Sequence, residues 1–379
     1  MGGLPINVRQ RSAVKSSHCA APSRMRLYVY LSWMCLGEGP LQRFVLRIFK
    51  SRLTQLFLGL PASGTIATAV EQTSSLQTAT RPISILGSCY SAFASLAMMR
   101  RERFWNMMHD MKSLVQIMEA APGEQAWVAG TRKSILRFAA GNLMLWLATV
   151  GSALVGAVLH PERVVPSWPF VPLAGTLGFY IARLSYIVSV FVITVPIGFV
   201  VTSLGCVTAT ATGLHHGLAQ SLDTATSPEK VRDVVKVHQQ LRHITVDLTD
   251  LCADNLGHIL VSSFCHSLIA ILQVLANDTT SFTFAQLLRV VIVFLQLSHL
   301  SQELSDASLV LQTAAYQAAS GGSVSLSEAR ALHLAMLTSS RQPALTCKGL
   351  GRLSLANAGK AFNHLYSVVN MLGPKVRGP

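Results

Sequence analysis

Residues 168–211 run for 44 positions with one charged side chain, Arg183. A helix crosses roughly 30 Å of hydrocarbon with about 20 mostly apolar residues. The stretch therefore belongs in a membrane, and it is long enough for one crossing or two. The reading favoured here is one span, LSYIVSVFVITVPIGFVVTSLGCV (184–207), preceded by an apolar, proline-containing outer loop, WPFVPLAG. Pro196 is expected to kink that span.

Six further segments reach the same length. Three are clean: ILRFAAGNLMLWLATVGSALVGAVL (135–159), LGHILVSSFCHSLIAILQVLA (256–276) and TFAQLLRVVIVFLQLSHL (283–300). Three are weaker: LTQLFLGLPASGTIATAV (53–70), PISILGSCYSAFASLAMM (82–99) and the tail LSLANAGKAFNHLYSVVNML (353–372). Composition agrees. Only 13% of the 379 residues are charged, against about a quarter in soluble domains. The net charge of +14 reads as basic residues crowding cytosolic loops rather than as a nucleic-acid surface. Seven scattered cysteines, with no CxxC pair, indicate neither zinc nor a disulfide framework. No cofactor is expected. The basic N-terminal segment lacks an early apolar core, so no cleaved signal peptide is expected.

Arginine and lysine fix the orientation. They fill residues 9–52, the connection after span two (Arg100, Arg101, Arg103, Lys112, Arg132, Lys133) and those after spans four and six. The opposite loops hold little more than Arg81 and Arg163. The N-terminus is therefore expected in the cytosol and the C-terminus outside. Asn277-Asp278-Thr279 is a glycosylation sequon in an outer loop under this topology. G-protein-coupled receptors also cross seven times, but with the opposite N-terminal side, a DRY-like triplet and NPxxY, and neither motif occurs here.

The inner connections have helical periodicity. These are 101–121, 227–255, 301–319 and 325–343, with a helix start at Ser227-Pro228-Glu229 and a capping box at Ser325–Glu328. Val231, Val234, Val235, Leu241, Val246 and Leu248 are expected to form one buried face. The expected fold is an all-α membrane protein of seven transmembrane helices with cytosolic helical extensions. Its parts are a cytosolic segment (1–52), spans one to four (53–226), a cytosolic helical connection (227–255), spans five to seven (256–372) and an extracellular tail (373–379).

Three stretches resemble the insect odorant receptor family. KVHQQLRHITVDLTDLCADNLGHILVSSFCHSLIAILQVL carries the HQ pair at His238 and Gln239 before span five. SQELSDASLVLQTAAYQAA is similar to the family's NE…S…A-x-Y run through Glu303, Ser308 and Tyr316. RQPALTCKGLGRLSLANAGKAFNHLYSVVNML resembles the family's tail through Gln342, Pro343, Thr346, Gly349, Leu353, Ser354, Leu355, Tyr366 and Ser367. The family's tryptophan after A-x-Y is missing, and Asn357 and Ala358 depart from its pattern.

The resemblance implies an odorant-binding tuning subunit of a ligand-gated, non-selective cation channel in the plasma membrane of olfactory neurons. A heterotetramer with the family's co-receptor is implied, because the short connection between spans four and five lacks the co-receptor's insertion. The implied ligand is a small volatile organic molecule held by the outer halves of the spans, and the aromatic pool there is Tyr90, Phe93, Trp146, Phe179, Tyr180, Tyr186 and Phe191. An apolar pocket of this kind suits such a ligand. The implied pore helix is the last span.

At 100° per residue, Asn363, Ser367 and Asn370 share one stripe of that span. Phe362, Leu365 and Val369 lie on another. The polar stripe fits either a water-filled pore or hydrogen bonding to a neighbouring helix. The resemblance implies an apolar gate of the dewetting type at Val369 with its companion one turn on, at Gly373; glycine cannot close a ring, so Leu372 is the expected companion. Arg183 and Arg289, near outer span ends, are expected to snorkel to the interface. A gustatory receptor of the sister branch and a transporter are the alternatives. No protease or hydrolase motif is visible, so catalysis is not expected.

Overall fold

The computed structural model describes residues 76–120, 126–159, 176–225, 227–276, 281–320, 325–339 and 342–377, with positions 27, 47, 49, 51, 52, 54, 58, 59, 62, 63 and 66. The sequon at Asn277, the outer loop 168–175 and most of the first expected span lie outside the described residues. The helices are α1 (Leu76–Arg100), α2 (Glu102–Ala120), α3 (Ala126–Leu159), α4 (Leu177–Asp223), α5 (Pro228–Leu251), α6 (Gly257–Leu275), α7 (Ser281–Ser320), α8 (Leu326–Ser339) and α9 (Leu355–Arg377). A π-turn, Cys252–Leu256, joins α5 to α6. A two-stranded antiparallel hairpin, β1 (Thr346–Cys347) and β2 (Gly351–Arg352), precedes α9.

Among the described residues, five segments are long and apolar enough to cross a bilayer: Ile83–Arg100, Trp127–Gly156, Leu177–Asp223, Pro228–Leu275 and Phe282–Ser320. This is the make-up of a multi-pass membrane protein. α9 has 23 residues, the length of a crossing, but its polar face keeps it out of that set.

From Leu177 on, the uncharged stretch lies in one helix. α4 is 47 residues long and continues through Pro196. At 1.5 Å per residue it measures about 70 Å, more than twice the hydrocarbon thickness. The span read as ending at 207 therefore continues to Asp223 as a strut beyond the membrane. Thr208, Thr210 and Thr212, weak helix formers, donate their hydroxyls to the carbonyls of Leu204, Cys206 and Thr208 at 2.7, 2.7 and 3.0 Å. The side chains thereby satisfy themselves on their own helix. α7, with 40 residues, spans about 60 Å by the same rise.

α3 and α4 pack antiparallel through glycines. A Cβ at Gly205 would strike the Phe138 ring, and one at Gly213 would strike Thr131. Two turns apart on α4, these glycines meet residues two turns apart on α3, so the register is fixed at both levels. α4 also lies along α7, and α1 lies along α6.

Away from the spans, α2, α5 and α8 surround the ends of α4 and α7. Met107, Met108, Met111, Leu114 and Val115 bury one face of α2. Ser227 caps α5, its hydroxyl accepting from the Lys230 amide at 3.5 Å, with Pro228 in the first turn. Val231, Val234, Leu241 and Leu248 are buried as expected, and Val235 is half-buried. Val246 is not part of that face and is 49% exposed. His238, Ile244, Thr245 and Leu251 complete the buried stripe. One arm of the expected capping box is present: the Ser325 amide donates to Glu328 Oε2 at 3.0 Å, while the Ser325 hydroxyl donates to the same oxygen at 2.7 Å. Arg232 adds a bond to Glu328 Oε1 at 3.1 Å. The Ser325 hydroxyl, its amide and Arg232 together hold the Glu328 carboxyl below the usual range despite burial.

Candidate functional site

The seven aromatic candidates occupy separate places. Trp146 is half-buried on α3. A Cβ at Gly198 would lie 2.9 Å from its Cε2, so the indole rests on the bare backbone of α4. The Arg289 guanidinium of α7 stacks on the ring, 4.4 Å from its centroid. This corrects the snorkelling expectation for Arg289: its stem leads to an indole between helices, where stacking is favourable. Arg183 donates to the Val158 carbonyl at 3.1 Å and so closes the last turn of α3.

Tyr90 shares a 2.7 Å hydrogen bond with His258 in the first turn of α6 and meets its ring edge-on. Phe93 packs against the core. Phe179 and Tyr180 form an edge contact at 5.6 Å at the start of α4. Tyr186 is half-buried, and Phe191 is 45% exposed. A recess of about 610 Å³ between α7 and α8 is lined by Tyr316, Arg330, His333 and Leu334, and by none of these seven.

Between α1 and α6 sits a polar contact that sequence reasoning missed. His266 Nδ1 lies 2.7 Å from the Ser262 carbonyl and therefore carries the proton. Its Nε2 then accepts from the Ser88 hydroxyl at 2.6 Å. The Ser262 hydroxyl donates to the Gly87 carbonyl at 2.6 Å. A Cβ at Gly87 would sit 2.8 Å from the imidazole. The signal was Gly87-Ser88 in one span and Ser262–His266 at helical spacing in another, but nothing in the sequence pairs the two.

The last helix divides as its stripes predicted. Asn363, His364, Tyr366, Ser367, Asn370 and Met371 are exposed, while Phe362, Leu365, Val369 and Leu372 are half-buried. Phe362 faces inward and meets Phe294 of α7 at 5.7 Å and Phe264 of α6 at 6.2 Å. Phe264 and Phe294 are themselves 4.8 Å apart and edge-on. Three helices thus share one aromatic node.

The hairpin ties the start of α9 to both neighbours. Lys348 donates its amide to the Ala253 carbonyl at 3.1 Å and its ammonium to Asp254 at 2.6 Å, both in the π-turn. The Leu345 amide donates to Ser301 Oγ at 2.9 Å, and Arg352 donates to Gln342 at 3.3 Å and to Ser305. Gly349 and Gly351 adopt φ of 89° and 75°, the left-handed region that glycine tolerates. Ser354 accepts from the Asn357 amide at 3.2 Å and starts α9. Gln342, Gly349 and Ser354, carried by the tail resemblance, are the residues of this collar.

Among the described residues, no group of three His, Cys, Asp or Glu could hold a metal ion. No family model and no curated protein matches this sequence. Two solved structures are similar to it along nearly its whole length. The insect olfactory receptor OR5 from Machilis hrabei in complex with eugenol superposes with a TM-score of 0.68 at 12% identity, covering 91% of this chain and 95% of that one. The same receptor without the named ligand gives 0.64 at 11% identity, covering 88% and 90%. The chain has the fold of the insect odorant receptors.

Proposed function

We propose that the chain is the odorant-binding tuning subunit of a ligand-gated cation channel in the plasma membrane, assembled with a co-receptor into a heterotetramer. The observation that carries this reading is α9: a helix of membrane length, in a chain of this fold, with Asn363, Ser367 and Asn370 left exposed by every described neighbour. Polar side chains on the bare face of a terminal span suit a shared water path. Val369 and Leu372, half-buried on the apolar side of the helix, are the gate of this proposal, closing by dewetting.

The route from ligand to pore is short. α7 carries Arg289 against Trp146 and, five residues on, Phe294 against Phe362. A small organic molecule wedged near Trp146 displaces α7, and the aromatic node passes that displacement to α9. Eugenol, bound by the Machilis hrabei receptor, exemplifies the ligand size. Asn277 is the glycosylation site of this reading.

Oocytes co-expressing the chain and a co-receptor test it. Volatile-evoked inward current is expected, and a water-soluble thiol reagent is expected to reduce that current in Asn370→Cys. Modification absent in every conducting state would remove α9 from the pore.

A further inference from the structure

Among the described residues, Arg289 is a charge inside a span with no anion to answer it. α1, α3, α6 and α9 contain no Asp or Glu, α4 has none before Asp223, and α7 none before Glu303. Among the described residues the guanidinium makes no hydrogen bond or ion pair, only its stack on Trp146. Charged residues inside membranes are retained with a partner or for a ligand. The surroundings also hold buried polar groups left without partners, donors and acceptors both. Trp146 Nε1 is buried without an acceptor. One turn earlier on α3, Asn142 is fully buried with both amide atoms unpartnered.

Resting on the channel reading above, we propose that the Arg289–Trp146 pair is the recognition site for odorants bearing a carboxylate, such as short-chain carboxylic acids. A guanidinium presents two parallel N–H groups that match the two oxygens of a carboxylate, and it stays charged at any accessible pH. Its flat face is already held by the indole, so little side-chain freedom is lost when the acid arrives. A neutral ester or alcohol supplies an acceptor but leaves the positive charge unanswered in a medium of low dielectric. The aliphatic tail of the acid lies among the apolar residues of α3, α4 and α7.

The test compares hexanoic acid, methyl hexanoate, hexanal and hexanol at neutral pH on the wild type, Arg289→Met and Arg289→Lys, all as the full channel. Two readouts are used: evoked current, and thermal stabilisation of the purified assembly. The wild type is expected to favour the acid over its methyl ester by about tenfold or more. Arg289→Met is expected to lose that preference, its response to the acid falling about tenfold further than its responses to hexanal and hexanol, and Arg289→Lys to keep part of it.

Equal potency of acid and ester on the wild type overturns the proposal without recourse to any variant. So does an unchanged acid preference in Arg289→Met, the result expected if the arginine only reaches lipid phosphate. A parallel loss for all four compounds also overturns it, since that marks a merely structural role. Acid-selective stabilisation without current defeats the channel reading and leaves the acid site standing. Current without acid preference does the reverse.

Discussion

Gly205 and Gly213 show how little a single position can tolerate in this chain. Each lies where a Cβ would occupy the space of an α3 side chain. Gly213→Val is expected to cost about 1–3 kcal/mol or more of α3–α4 packing, read as a lower melting temperature of the purified receptor; an unchanged value would mean that α3 shifts freely. Glu328 gives a pH-dependent counterpart. Its carboxyl is held low by Ser325 and Arg232. The stabilisation from its ionised form is therefore complete above the ordinary carboxylate pKa and is lost as pH falls through the depressed one. Glu328→Gln is expected to melt below the wild type at neutral pH, with the gap narrowing in acid; a gap constant with pH would rule out the charge as its source. The cap was legible because Ser-x-x-Glu is a local pattern. The glycine contacts were not, because Gly205 and Phe138 are 67 positions apart and one glycine in an apolar span looks like any other.

Among elements, the hairpin and the aromatic node decide how α9 is held. Gly351 takes φ of 75°, which a β-branched residue adopts only at a cost of about 1–3 kcal/mol. Gly351→Val is expected to loosen the collar and raise the current in the absence of ligand; a silent, fully expressed variant with wild-type gating would contradict that. Phe294→Leu and Phe362→Leu are expected to be non-additive by about 0.5–1.5 kcal/mol in a double-mutant cycle on gating. The sequence pattern outlined every long helix here, because apolar runs and caps are strong signals over such lengths. It did not outline the hairpin, since strands of two residues have no periodicity to detect. It also ended span four at 207, because threonines and glycines mimic a loop when their i−4 partners and the facing helix are unknown.

At the scale of the whole molecule, charge and length fix the arrangement. Epitopes at the two ends are expected on opposite sides of the membrane, the amino end reached by antibody only after permeabilisation; staining of that end on intact cells would invert the topology. The crossing helices were legible from apolarity alone, whereas the placement of Arg289 was not, since a cation near a span end looks the same whether it reaches for lipid or for an indole. The five-residue π-turn at Cys252–Leu256 has a further bearing on this architecture. A π-turn holds one more residue than the α-helical geometry on either side of it. It therefore acts as a phase shifter in a rod otherwise continuous from Pro228 to Leu275. Winding it as ordinary α-helix with every residue kept would release that extra residue into the rod and swing α6 by about 100°. Phe264 and His266 would then be carried off their partners together, although no side chain at either contact had been touched.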